Sequence, residues 1–124
     1  MTNLFVLNDP PYGTERSYNG LRLAIALAMK GERVQVFLIG DGVACAKRGQ
    51  KVPPGYYNID AMLRNVLRHG GAVGVCGSCI DARGISESEL VEGAQRSSMD
   101  ELTGWTIAAD KVLVFLTWRA PQSC

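Results

Sequence analysis

Val34-Gln35-Val36-Phe37-Leu38-Ile39 is an almost unbroken apolar run. A strand covered on one face alternates apolar with polar residues, whereas a strand covered on both faces is apolar nearly throughout, as in parallel sheets. The run therefore predicts an inner strand of an α/β sheet. Leu4–Leu7, Ala72–Val75 and Lys111–Leu116 have the same character, and a weaker fourth run lies near Leu90–Gln95. Helical stretches separate the five. Leu21–Met29 closes on Lys30-Gly31, a basic residue and a glycine stop. Ile59, Met62, Leu63, Val66 and Leu67 recur at helical spacing and end at Gly70-Gly71. Ser86-x-x-Glu89 and Ser98-x-x-Glu101 are capping-box patterns, the second opening a helix with Leu102, Trp105 and Ala109 on one face. This alternation predicts a three-layer α/β/α fold with a mostly parallel five-stranded sheet. The longest irregular stretch, Gly40–Tyr57, is expected to contain a short helix over Val43–Arg48.

The 124 residues suit one domain, expected over 1–118, with a short C-terminal tail at 119–124. A formal net charge of +1, with Lys47, Arg48 and Lys51 as the densest basic cluster, leaves no footprint for direct nucleic-acid binding. Leu21–Met29 is interrupted by Arg22 and is too short to span a membrane. A strand-like run begins within two residues of Met1, where a secretory leader would stand. The four cysteines are irregularly spaced, which suits a reducing compartment better than a disulfide scaffold. The expected location is the cytoplasm.

In a parallel sheet the loops that follow strands emerge at one edge, where such folds gather their ligands. Asn8–Glu15, Gly40–Tyr57 and Cys76–Gly84 should therefore share a rim. The third of these, Cys76-Gly77-Ser78-Cys79-Ile80-Asp81-Ala82-Arg83-Gly84, carries the chemistry. A helical turn beginning at Cys76 favours its thiolate, and Cys79 would fall on the same helical face. Arg83 is the expected electrostatic partner of the thiol; the competing reading is an ion pair with Asp81 or Glu87. Asp9 and Tyr12 are candidates to line a pocket and bind a sulfur species, against a plain strand-to-helix turn. Cys45 is a further candidate, against a buried filler.

Zinc would need about four ligands from Cys45, Cys76, Cys79, Cys124 and His69, whose spacing forms no zinc pattern, so no metal and no cofactor is expected. Gly40-Asp41-Gly42 lacks the spacing of either phosphate-binding fingerprint, and there is no G-x-S-x-G. Three functions remain open on the residues alone. They are a persulfide carrier, a thiol–disulfide oxidoreductase, and a non-enzymatic oligomeric module for a metal or small ligand.

The order of these pieces resembles the DsrE/DsrF-like family of TusD- and YchN-like sulfur-relay proteins. The resemblance runs from Asn3 to about Leu116 through Pro11-Tyr12-Gly13-Thr14, Gly40-Asp41-Gly42-Val43, Gln50-Lys51 and Gly55-Tyr56-Tyr57-Asn58. It continues through Cys76–Gly84, Ser98-Met99-Asp100-Glu101-Leu102 and Ala109-Asp110-Lys111-Val112. It implies a homotrimer or homohexamer, with Tyr56, Tyr57 and Trp118 as candidate interface anchors. It also implies that Cys76 accepts sulfur as a persulfide and passes it on, in partnership with sulfur donor and acceptor proteins or small thiols. Cys79 is a departure from the relay pattern and places the chain nearer the YchN-like branch.

Overall fold

A computed structural model describes residues 1–117; Trp118, Cys124 and the expected tail lie outside the described residues. Five strands form one parallel sheet: β1 (Thr2–Leu7), β2 (Arg33–Leu38), β3 (Ala72–Cys76), β4 (Gln95–Ser97) and β5 (Lys111–Phe115), in the order β4-β3-β2-β1-β5. Four helices connect them: α1 (Arg16–Met29), α2 (Ile59–Arg68), α3 (Gly77–Ala82) and α4 (Met99–Ala108).

Side-chain alternation along the strands sorts the core into two layers. On one face Phe5 and Leu7 of β1 and Val34, Val36 and Leu38 of β2 pack with Leu21 and Ala24 of α1 and Ile59, Leu63 and Val66 of α2. On the other, Leu4, Val6 and Phe37 meet Leu102 and Trp105 of α4. Trp105 stands edge-on to Phe37 with ring centroids 6.2 Å apart. The near-continuous apolarity of β2 follows from this double coverage.

The coverage is unequal. α4 buries none of its residues fully, and among the described residues it is the helix whose side chains pack on the second-face core. Val112 and Val114 of β5 pair in register with Leu4 and Val6, and so project to this same face. They are about half exposed, as is Leu116, while Ile107 and Met99 of α4 are more so.

Local signals set the helix ends. Asn58 accepts the Ala61 N–H and Ser98 accepts the Glu101 N–H through their side-chain oxygens, caps that contribute about 1 kcal/mol each. The Ser86–Glu89 capping box closes only a three-residue 3-10 turn, Glu87–Glu89.

Two expectations shift. The helical turn in Gly40–Tyr57 is a 3-10 segment over Gly40–Ala46, starting three residues before Val43. Gly42 lets it lie on the end of β1, since a Cβ there would collide with the Leu7 carbonyl. The fourth strand is Gln95–Ser97, not the apolar stretch around Leu90. Leu90 and Val91 are buried as a plug instead, with Leu90 bridged to Lys47 and the Val91 N–H donating to Ala46 at 2.8 Å. The edge strand itself is polar, so hydrophobicity did not mark it.

Candidate functional site

Cys76 ends β3 and is also the N-cap residue of α3, with φ −55° and ψ 115°. Because Cys76 is still extended while Cys79 is helical, their side chains converge without unwinding the helix. The Cys79 thiol donates to Cys76 Sγ at 2.6 Å, near enough for a disulfide to form with little backbone movement. Gly77 is the first residue of α3, so the turn stays helical between the two cysteines. Its missing side chain makes room, because a Cβ there would sit 2.7 Å from the Arg96 guanidinium carbon.

The two sulfurs are electrostatically unequal. Burial works against ionising Cys76, but the Cys79 thiol, the Ser78 hydroxyl (3.4 Å away) and the backbone N–H groups of Cys79 and Ser78 outweigh it. Its pKa consequently lies below the ordinary cysteine value. Cys79 is raised by burial, by its hydrogen bond to Cys76 and by the charge on that sulfur. The Gly40 N–H, 3.3 Å from Cys79 Sγ, and the Arg83 charge offset this only in part. One thiol is thus set to ionise while the other stays protonated and directed at it.

Arg83 stands on the Cys79 side of the pair. It donates to the Cys79 carbonyl at 3.1 Å and pairs with Asp41 at 2.8 Å, not with Asp81 or Glu87. Asp81 is taken by Arg96, whose two terminal nitrogens each donate at 2.8 Å to one carboxylate oxygen. Arg96 lines the same cavity as Cys76 and is close enough to sense its charge; in the β3–β4 register it pairs with Val75, while Ser97 stands beside Cys76. Sequence reasoning missed it because the fourth strand was expected several residues too early. The signal available was the polar run Gln95-Arg96-Ser97-Ser98 ahead of a helix cap.

The other three candidates are built into the interior. Asp9 is buried; its carboxylate accepts the Thr117 N–H at 2.8 Å, the Thr117 hydroxyl at 2.7 Å and the Thr14 hydroxyl at 2.9 Å. Burial alone would raise its pKa, but these bonds and Arg16 hold it below the usual carboxylate value. Tyr12 donates to Gln50 at 2.7 Å and accepts the Ile59 N–H at 3.1 Å, tying the first loop to the start of α2. Cys45 is fully buried, directs its thiol at the Asp9 carbonyl 3.6 Å away, and has its pKa pushed up to about 12 by burial. None of the three lines the cavity beside Cys76, so the polar atoms expected to meet a ligand hold the rim together instead. Tyr57 is stacked between Tyr12 and Tyr18, with centroids 5.8 and 4.1 Å away, and is a loop cover more than an interface anchor. Among the described residues no group of three or more His, Cys, Asp or Glu side chains converges.

A family model described as DsrE/DsrF-like matches residues 1–115. The chain belongs to the DsrE/DsrF-like family. Among curated relatives, protein YchN of Escherichia coli is 42% identical over 114 residues, covering 90% of this chain and 97% of that protein. An uncharacterised protein of Methanopyrus kandleri is 39% identical over 110 residues, covering 89% and 90%. A TusC homologue of Aliivibrio fischeri is 27% identical over 115 residues, covering 90% and 96%. The crystal structure of the Escherichia coli YchN protein superposes with a TM-score of 0.84 at 40% identity, over 93% of this chain and all of that one. No helix among the described residues is long and apolar enough to cross a membrane.

The inequality of the three described thiols has a direct readout. Limiting alkylation of the reduced protein at graded pH, followed by peptide mapping, is expected to label Cys76 before Cys79 and Cys45. A lowered pKa moves the onset of labelling to lower pH than for a free cysteine, whereas Cys45 should stay unlabelled until the protein unfolds. Cys45 or Cys79 labelling first in the native protein contradicts the assignment.

Proposed function

We propose that this protein is a cytoplasmic sulfur-handling protein that accepts sulfane sulfur on Cys76 as a persulfide and passes it on. Family membership supports the sulfur-relay setting, and the observation that carries the reading is the unequal pair of sulfurs at the rim. Thiol exchange needs an accessible thiolate as attacker and a good leaving group, and Cys76 supplies the first.

In the loading step the Cys76 thiolate attacks the outer sulfur of a donor persulfide. The S–S bond of the donor breaks and its thiolate leaves with the electron pair. In the forward direction an acceptor thiolate, on a protein or a small thiol, takes the outer sulfur and regenerates Cys76. Alternatively the Cys79 thiol loses its proton and attacks Cys76 Sγ, expelling hydrosulfide and leaving a Cys76–Cys79 disulfide. An external dithiol must then reduce that disulfide before another round. Arg83 anchors the Cys79 turn to Asp41 and favours the Cys79 thiolate when this second step needs it. Asp9, Tyr12 and Cys45 act through the loops they hold. The same pair supports a second reading, a thiol–disulfide oxidoreductase, which would cycle the disulfide without sulfur ever attaching.

The half-covered second face of the sheet supports assembly into a homo-oligomer, a trimer or hexamer. Val112, Val114, Leu116 and Ile107 present apolar surface beside α4 that a further copy would bury. Sedimentation at micromolar concentration is expected to find an assembled species, and a monomer alone would remove this part of the proposal.

Intact mass after incubation with a polysulfide donor tests the relay itself. The wild type and Cys79→Ser should gain the mass of one sulfur atom, Cys79→Ser should retain it longer, and Cys76→Ser should gain none. Equal loading of Cys76→Ser contradicts the carrier assignment. Disulfide cycling with no sulfur adduct in any variant favours the oxidoreductase.

A further inference from the structure

The Cys76 side of the rim opens into a cavity of about 320 Å³ whose walls divide by chemistry. Phe37, Ile39 and Met99 make an apolar wall. Arg96, the hydroxyl-bearing Ser78, Ser97 and Ser98, Gly77 and Cys76 complete the lining, and among the described residues no carboxylate lines the space. At roughly 30 Å³ for a water-sized group, the cavity accommodates on the order of ten non-hydrogen atoms.

Arg96 is arranged to receive an anion. Two of the five N–H donors of a guanidinium go to Asp81, which leaves three and fixes the plane of the group. Its other face rests on the bare Cα of Gly77, a position that any larger residue would occupy itself. The neighbouring carboxylate of Glu101 is engaged by the Ser97 hydroxyl. Ser98 Oγ accepts the Glu101 N–H and keeps its own proton to donate.

We propose that this cavity binds a small anionic sulfane-sulfur compound of the thiosulfate or thiosulfonate class, with Arg96 selecting its charge. The polarizable outer sulfur fits the Phe37, Ile39 and Met99 wall, and the sulfur-bound oxygens fit Arg96 and the Ser98 hydroxyl. This rests on the reading of Cys76 as the sulfur-accepting thiolate. The Cys76 thiolate attacks the outer sulfur, and the bond from that sulfur to the oxidised sulfur breaks. The electron pair leaves on sulfite or sulfinate while Cys76 keeps the persulfide. Charge and electrons balance with no added oxidant or reductant.

Two measurements on the full chain test this. The first compares alkylation of Cys76 by iodoacetate, an anion, with that by neutral iodoacetamide; the ratio of rates cancels any change in thiolate fraction. Arg96→Gln is expected to lower the ratio about fivefold, an effect of the size one unit charge exerts at about 4 Å through water. Gly77→Ala, which keeps the charge but displaces the guanidinium, should lower it as well, and Arg96→Lys should restore part of it. An unchanged ratio in both Arg96→Gln and Gly77→Ala overturns the anion site.

The second measurement follows sulfite released from thiosulfate, and methanesulfinate from methanethiosulfonate, against sulfur bound at Cys76. One-to-one release with either compound supports the proposal and tells the inorganic source from the organic one. If Cys76 loads from a persulfide donor but releases no sulfite from thiosulfate and no methanesulfinate from methanethiosulfonate, the cavity proposal falls and the carrier reading stands. If no donor loads Cys76, the carrier reading falls and this donor assignment with it; the iodoacetate ratio still decides whether the cavity selects anions.

Discussion

Parallel pairing of all five strands is the constraint from which the site follows. Each connection must cross back over a face of the sheet, so the segments after β1, β2 and β3 all leave from one edge. Cys76, Gly40 and Asn8 are brought together there although they are far apart in the chain. The hydrogen bond from the Gly40 N–H to Cys79 and the ion pair from Arg83 to Asp41 both cross between two of these segments. Deeper in the rim, Asp9 binds Thr117, two residues past β5, and its carbonyl receives the Cys45 thiol. The interior polar bonds therefore support the exposed sulfur chemistry without contacting it.

At the rim itself a change of backbone conformation within one residue creates the functional asymmetry. Cys76 belongs to the strand through its φ and ψ and to the helix through its position, which aims it at a thiol one turn ahead. A thiol that donates is a thiol that stays protonated, and the sulfur that receives the bond is favoured as thiolate. Two chemically identical side chains thereby acquire different roles. Gly77 adds a second asymmetry by admitting Arg96 on the Cys76 side, while Arg83 occupies the Cys79 side.

The sheet and the thiol pair were legible in the sequence because both depend on local pattern. The apolar runs marked four strands, and Cys-x-x-Cys after Val75 marked the helical turn. What escaped depends on tertiary placement. β4 is a short polar edge strand, and its position was masked by Leu90 and Val91, which are apolar because they plug the core beneath Lys47 and Arg48. That displacement hid Arg96. Asp9, Tyr12 and Cys45 were legible as rim residues, but composition gave no sign that their polar atoms would be satisfied by Thr117, Gln50 and the Asp9 backbone.

The central claim is that the Cys79 thiol holds Cys76 as a thiolate. Ultraviolet titration of the reduced protein, which reads thiolate absorbance directly, tests it in the wild type, Cys76→Ser and Cys79→Ser. The account predicts a first thiolate below the ordinary cysteine range in the wild type. That thiolate should disappear in Cys76→Ser and move to higher pH in Cys79→Ser with an apolar Cys79→Ala shifting it further. A first ionisation that survives unchanged in Cys76→Ser, or that does not move in Cys79→Ala, would contradict it.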